Sequence, residues 1–197
     1  MTDALAKWWR PLAFGLVAVS AGALPAAAQG GGLTEKIQLC SACHGEDGNS
    51  RIEKIPSLAG QPAFFILNQL FLMREGVRKV EAMAPIVKDL KDDDLDGLSK
   101  HFAGLPAKRS DEPVDAALVK RGAEIARQRR CDSCHKRDLS GSEQVPRLAK
   151  QRVDYLIISL KEFRDDTRPG GDTAMSANLA GTTDADLAAL AHYCASF

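Results

Sequence analysis

The stretch "CSACH" at residues 40–44 places two cysteines three positions apart and a histidine directly after the second one. The same arrangement returns as "CDSCH" at residues 131–135. Redox-active disulfides would use the thiols but would leave both histidines unexplained. A zinc ribbon has its two cysteine pairs about 15–20 residues apart, whereas Cys43 and Cys131 are separated by 88 positions. Cys-x-x-Cys-His is the signature for covalent attachment of haem c. The two stretches therefore predict two haem c groups, bound through Cys40, Cys43, Cys131 and Cys134.

The sequence that follows each motif is also repeated. The segment "IPSLAGQ" ends at Gln61, the segment "VPRLAKQ" ends at Gln151, and a methionine follows further along in each half. Such self-similarity indicates a tandem duplication of one structural unit. Between the copies, residues 104–114 contain prolines and charges that interrupt helical patterns on both sides. We predict two domains, residues 29–106 and residues 107–197.

The N-terminus has the composition of an export signal. Lys7 and Arg10 precede an apolar run at residues 12–24, and small residues suited to a cleavage site follow. The run is shorter than the roughly 20 residues that a membrane-spanning helix requires. We therefore predict that residues 1–28 are a cleaved signal peptide and that the mature chain acts in the periplasm.

Apolar spacing in the mature chain predicts helices, and no stretch alternates between apolar and polar residues as a strand would. Asp92 or Asp93, and Thr182 or Thr183, are suited to cap the closing helix of each half. Each half has only about 80 residues, a size at which a bare core is marginal. The fold is therefore predicted to be all-α, with each half wrapped around one covalently attached haem. The balance of 26 basic and 26 acidic residues argues against nucleic acid as a partner.

The predicted iron ligands follow from the motifs and from the repeat. Each motif places a histidine beside a covalently bound cysteine, so His44 and His135 are the predicted proximal ligands. Met83 and Met175 are matched by the repeat, and we predict that each binds its iron on the opposite face. Histidine and methionine together raise the reduction potential and close both faces of the iron, which suits electron transfer. The remaining candidates are predicted to pack rather than to bind iron: Met73, His101 and His192.

With both halves considered, the chain resembles the dihaem cytochromes c of the cytochrome c4 family. The resemblance is carried by the two motifs, by "PSLAGQ" at residues 56–61 and by Met83-Ala84-Pro85. It implies two tandem all-α cytochrome c domains that shuttle single electrons in the periplasm, in a respiratory chain that often leads to a terminal oxidase. It also implies that the carbonyls of Pro56 and Pro146 orient the two proximal histidines through Nδ1.

The second half departs from the family pattern at two places. Ser176-Ala177 follows Met175 where the first half has Ala84-Pro85 after its methionine. Cys194 stands where the first half has Phe102. An odd cysteine is able to pair between molecules, but we expect Cys194 to be a buried small side chain, because free cysteine is among the residue types most often found buried.

The resemblance implies redox proteins as partners. The electron donor would be a dehydrogenase or a quinol-oxidising complex, and the electron acceptor would be an oxidase. It also implies peripheral association with the membrane. The same design also occurs as the cytochrome subunit of flavin-containing sulfide dehydrogenases, whose partner is a flavoprotein subunit. A dihaem peroxidase or a thiosulfate-oxidising enzyme is disfavoured, because peroxidase chemistry needs an open iron and each half offers a methionine. We therefore predict an electron carrier and not an enzyme.

A group of cations, here called the basic collar, brackets the second motif and has no equivalent at the first. It is either ordinary solvated surface or a docking site for an acidic redox partner, which electrostatic steering would bring in faster. The basic collar consists of Arg127, Arg129, Arg130, Lys136 and Arg137.

Overall fold

Nine α-helices and no β-strand build residues 32–197, the part of the chain that the computed structural model describes. A lone antiparallel bridge joins Ser142 and Val145. None of the helices in this part is both long enough and apolar enough to cross a membrane. The prediction of a signal peptide concerns residues 1–28, which lie outside the described residues. The helices are α1 (Leu33–His44), α2 (Ala63–Arg74), α3 (Ala84–Val87), α4 (Asp92–Ala103), α5 (Ala116–Gln128), α6 (Asp132–His135), α7 (Val153–Arg164), α8 (Thr173–Leu179) and α9 (Asp184–Ala195).

Each motif histidine is the last residue of its helix, and the chain turns sharply after it. Gly45 follows His44 with φ +89°, and a Cβ atom there would lie 2.4 Å from the carbonyl oxygen of Asn49. Glycine is therefore required by both the backbone conformation and the close approach. Lys136 follows His135 with φ +66°, so the second half adopts a positive φ at the same place without a glycine.

The closing helices α4 and α9 begin differently from the prediction in one half. Thr183 is the N-cap of α9, one of the two residues that the sequence predicted. It also exchanges hydrogen bonds with Asp186. The N-cap of α4 is Lys91, so the prediction of Asp92 or Asp93 is wrong. The carboxylate of Asp92 instead pairs with Arg74 at 2.7 Å. This ion pair anchors the start of α4 to the end of α2.

Two hydrophobic cores lie side by side in one compact body. The first gathers buried side chains of α2, α3 and α4, with α1 packed against it, and the second gathers those of α5, α7, α8 and α9. Helices α5 and α9 cross closely because Gly122 faces the backbone of Ala189, where a Cβ atom would lie 2.1 Å from the carbonyl oxygen. Cys194 belongs to the second core and is 6% exposed. The division of the chain at residues 106/107 stays a prediction.

Candidate haem sites

A cavity of about 720 Å³ runs between the two halves. Its volume falls within the range of roughly 300–1,000 Å³ that is typical of ligand and cofactor sites. The wall is largely apolar, and side chains from α2 and α7 form part of it. All eight residues predicted to hold haem and iron line this one cavity: Cys40, Cys43, His44, Met83, Cys131, Cys134, His135 and Met175.

Both motif histidines are buried and fixed by one hydrogen bond each. Nδ1 of His44 lies 2.8 Å from the carbonyl oxygen of Pro56, and Nδ1 of His135 lies 2.9 Å from that of Pro146. A carbonyl can only accept, so Nδ1 carries the proton and Nε2 keeps its lone pair for a metal. Burial lowers the pKa of both imidazoles, and the proline carbonyls offset this only in part. Both rings are therefore held as the neutral tautomer whose Nε2 is able to bind a metal.

The four motif thiols are free and accessible from the cavity. Cys40 and Cys131 are half-buried, whereas Cys43 and Cys134 are exposed. Burial raises the pKa of the thiols of Cys40 and Cys131. Each pair therefore combines one thiol held against the protein with one at the mouth of the cavity, which suits attachment of a planar group along one edge.

The two methionines occupy different local structures. Met83 is the N-cap of α3, whereas Met175 lies inside α8, which begins where Asp172 accepts hydrogen bonds from two backbone N–H groups. Met175 therefore lies within a regular helix, whereas Met83 lies at the start of a single short turn. Met83 and Met175 are half-buried, and each packs against the core of its own half. Met73 packs against the first core as predicted and also reaches the cavity.

The remaining histidines stand apart from the cavity. His192 accepts a hydrogen bond at Nδ1 from the backbone N–H of Asp115 at 3.1 Å. His101 packs edge-on against Phe102, with ring centroids 5.0 Å apart. Neither residue contributes to the cavity wall, so the described structure offers no second pair of histidines to the haem sites.

One wall of the cavity is rich in cations that the sequence reasoning missed. Arg78 and Arg168 both donate to Oε1 of Gln69, at 2.8 and 3.3 Å. Arg168 also pairs with Glu162 at 2.8 Å. Burial would raise the pKa of Tyr155, but the nearby guanidinium groups of Arg78 and Arg168 lower it overall. The repeat carried a signal for this wall, because Arg78 and Arg168 occupy corresponding positions of the two halves.

The two halves are joined by a set of buried hydrogen bonds, here called the seam. Gln61 donates to the carbonyl oxygen of Arg147 and accepts from its N–H, both at 2.9 Å. Gln151 donates to the carbonyl oxygen of Ser57 and accepts from its N–H, both at 2.8 Å. Corresponding residues thus make the same contacts in opposite directions. The seam consists of Ser57, Gln61, Arg147 and Gln151.

These features fit two haem c groups. Each half offers two thiols, a buried imidazole with Nδ1 already bonded, and a thioether sulfur at the same cavity. Haem also carries carboxylates, and guanidinium groups are the side chains best suited to receive them. The cationic wall around Arg78 and Arg168 therefore matches the polar part of the cofactor, and the apolar wall matches its ring.

Comparison with known proteins gives the same result. The family model described as Cytochrome c matches residues 119–197. Cytochrome c4 of Pseudomonas aeruginosa is 32% identical over 169 residues, which cover 80% of this chain and 83% of that protein. A thiosulfate dehydrogenase electron acceptor of Stutzerimonas stutzeri (strain A1501) is 30% identical over 174 residues, covering 83% of this chain and 81% of that protein. The crystal structure of reduced recombinant cytochrome c4 from Pseudomonas stutzeri has a TM-score of 0.76 at 30% identity, covering 82% of this chain and 95% of that chain.

The prediction of an all-α fold of the cytochrome c type is thereby confirmed, since both the helices and the structural relative agree. The two haem c groups predicted from the motifs are confirmed by the same relatives. Identity of this level over four fifths of the sequence leaves no doubt about kinship. The chain belongs to the cytochrome c4 family, a family of electron carriers.

Proposed function

We propose that the protein carries single electrons between redox partners in the periplasm, as a link in a respiratory chain. The observation that carries this proposal is the donor set of the cavity, which offers one histidine and one matched methionine for each haem. When bound, each haem supplies an iron that changes between the ferric and ferrous states by one electron. Iron closed on both faces by protein ligands favours electron transfer over binding of a substrate.

In this proposal each ligand has an assigned role. Cys40 and Cys43 hold the first haem through thioether bonds, and Cys131 and Cys134 hold the second. His44 and His135 bind iron through Nε2, since Nδ1 of each ring is engaged by a proline carbonyl. The hydrogen bond fixes the orientation of each ring and increases the basicity of the ligating nitrogen. Met83 and Met175 would each supply a thioether sulfur as the second protein ligand of one iron.

The cationic wall and the apolar walls of the cavity would have different roles. Arg78 and Arg168 would hold the carboxylates of the haems, and Gln69 keeps the two guanidinium groups at a fixed place because its Oε1 accepts from both. The apolar walls exclude water from the rings. A dry, preorganised site limits the rearrangement that accompanies each change of charge, which is what a fast electron carrier requires.

The second candidate concerns the electron donor. The relative from Stutzerimonas stutzeri (strain A1501) is named as the electron acceptor of thiosulfate dehydrogenase. A dehydrogenase of sulfur compounds is therefore the second candidate for the donor of this protein, beside a quinol-oxidising complex. The sequence-based alternative, a cytochrome subunit bound to a flavoprotein, predicts instead that a flavin-containing subunit purifies with the chain.

The basic collar is the candidate docking surface for an acidic partner, but only part of it is available. Arg127 pairs with Glu124 at 2.6 Å, and Arg129 donates to the backbone carbonyls of Asn178 and Ala180 at the end of α8. Arg129 therefore holds the helix that carries Met175. Lys136 and Arg137 are exposed and are the better targets for testing electrostatic steering.

The proposal is tested by expressing the full chain in a bacterium that matures c-type cytochromes. The expected result is a periplasmic protein that takes up two electrons per chain, is reduced rapidly by a quinol-oxidising complex or a sulfur-compound dehydrogenase, and is reoxidised by a terminal oxidase. Rapid turnover of peroxide or thiosulfate by the purified protein alone would contradict the carrier function. Recovery from the cytoplasmic fraction with residues 1–28 intact would contradict the location.

A further inference from the structure

Arg147 occupies an unusual place between the two halves. Its side chain is buried, with 5% of the residue exposed, and it lines the cavity. One end of the guanidinium donates to the carbonyl oxygen of Ala59 at 2.9 Å, and the other donates to that of Ala149. Ala59 and Ala149 are corresponding residues of the repeat. The guanidinium therefore bridges equivalent carbonyls and lies between the two haem sites rather than inside one of them.

The charge of Arg147 is not neutralised by the described part of the protein. No carboxylate among residues 32–197 pairs with it, and its buried Nε has no hydrogen-bond partner. The other buried arginines are paired, Arg152 with Asp154 at 2.9 Å and Arg168 with Glu162. Burial lowers the pKa of Arg147 to about 10, so the side chain stays charged at neutral pH. A buried charge of this kind is costly unless something compensates it.

Only one half supplies this cation. Ser57 is the counterpart of Arg147 in the repeat, and the backbone of each is held by a glutamine of the other half. A second guanidinium reaching the same pair of carbonyls would meet the first one, and like charges in a low-dielectric interior repel strongly. A small neutral side chain at position 57 avoids this repulsion, and Ser57 provides it.

We propose that Arg147 is a cation shared by the two haem sites, which raises the reduction potentials of both haems together. Reduction lowers the positive charge at the iron by one unit, so a fixed cation nearby favours the ferrous state at each site. The effect persists in the interior because solvent screens a buried charge only weakly. This inference rests on the proposed haem sites and names what tunes them.

The test replaces Arg147 by neutral residues in the intact dihaem protein and measures both potentials by spectroelectrochemical titration. Arg147→Gln and Arg147→Met both remove the charge. The methionine variant is included because its apolar side chain of similar length leaves no buried donor unsatisfied. Both potentials are expected to fall, each by a tenfold or larger change in the reduction equilibrium, which is 59 mV for a one-electron couple. Arg147→Lys keeps the charge and is expected to restore most of the difference.

The matched control is Lys120→Gln, which removes an exposed cation on α5 of the same half and is expected to leave both potentials almost unchanged. Neutral variants that carry two haems and keep wild-type potentials would overturn the proposal. A fall at one haem only would also overturn it, because the cation would then not be shared. Failure of Arg147→Lys to restore the potentials would show that hydrogen bonding, and not charge, is responsible. A haem count below two in the wild-type protein would instead refute the proposed function.

Discussion

Replacing Gln61 by alanine should weaken the attachment of the two halves by a measurable amount. Gln61 is 4% exposed and makes two hydrogen bonds with the backbone of Arg147, both at 2.9 Å. The substitution leaves one buried N–H and one buried carbonyl without partners. Each unsatisfied buried group costs about 1–3 kcal/mol, so the expected loss in free energy of unfolding is about 2–6 kcal/mol. Even the lower limit corresponds to a fall in Tm of at least about 4 °C for a chain of this size.

The assay is thermal unfolding of the ferric dihaem protein, followed by far-ultraviolet circular dichroism. Gln128→Ala is the control, because Gln128 is exposed and donates only to Glu124 on its own helix. That variant should change the free energy of unfolding by less than about 0.5 kcal/mol. Gln151→Ala removes the equivalent pair of bonds to Ser57 and should resemble Gln61→Ala. Equal Tm values for Gln61→Ala and Gln128→Ala would refute the seam as a stabilising contact.

Three further predictions concern ligation, acid stability and docking. Met175→Ala should halve the absorption band of methionine-bound ferric haem and open one iron to added ligands, whereas Met73→Ala should leave the band intact; an unchanged spectrum for Met175→Ala would show that this assignment is wrong. The N-terminal box of α9 lowers the pKa of Asp186 to about 2, against about 3.9 in the unfolded chain. The stability contributed by ionised Asp186 is thus present above pH 4 and is lost as the pH falls towards 2. Asp186→Asn should therefore reduce the fall in Tm between pH 4 and pH 2. Parallel curves of Tm against pH for mutant and wild type would contradict this. Reversing Lys136 and Arg137 to glutamate should slow electron exchange with an acidic partner at low salt only, because salt screens surface charge; a rate deficit that salt leaves unchanged would exclude steering.

The sequence was most informative where chemistry requires a fixed spacing. Two thiols and a histidine in five residues leave little choice of cofactor, and the repeat located a methionine in each half. The prediction that Pro56 and Pro146 bond Nδ1 of the two histidines came from the family resemblance, and both hydrogen bonds are present at 2.8 and 2.9 Å. The role of iron ligand for His44 and the other residues stays a proposal.

Contacts between the halves could not be predicted in the same way. The repeat matched Gln61 with Gln151 but gave no sign that each side chain bonds the backbone of the other half, because a hydrogen bond across an interface depends on how the halves meet. Arg147 was passed over for a related reason, since its counterpart is a serine and the match was imperfect. The cap of α4 was wrongly assigned because any acidic residue near a helix start looks like a cap, whereas Asp92 is held by Arg74.

The central claim is that each haem is bound by one histidine and one methionine and exchanges single electrons. The most direct test is a redox titration of the purified protein, with the haem content measured on the same sample. The expected result is two covalently bound haems per chain, both low-spin with the methionine band in the ferric state, and two one-electron reduction steps. One haem per chain, or a high-spin iron that binds carbon monoxide or peroxide without displacement of a protein ligand, would contradict it.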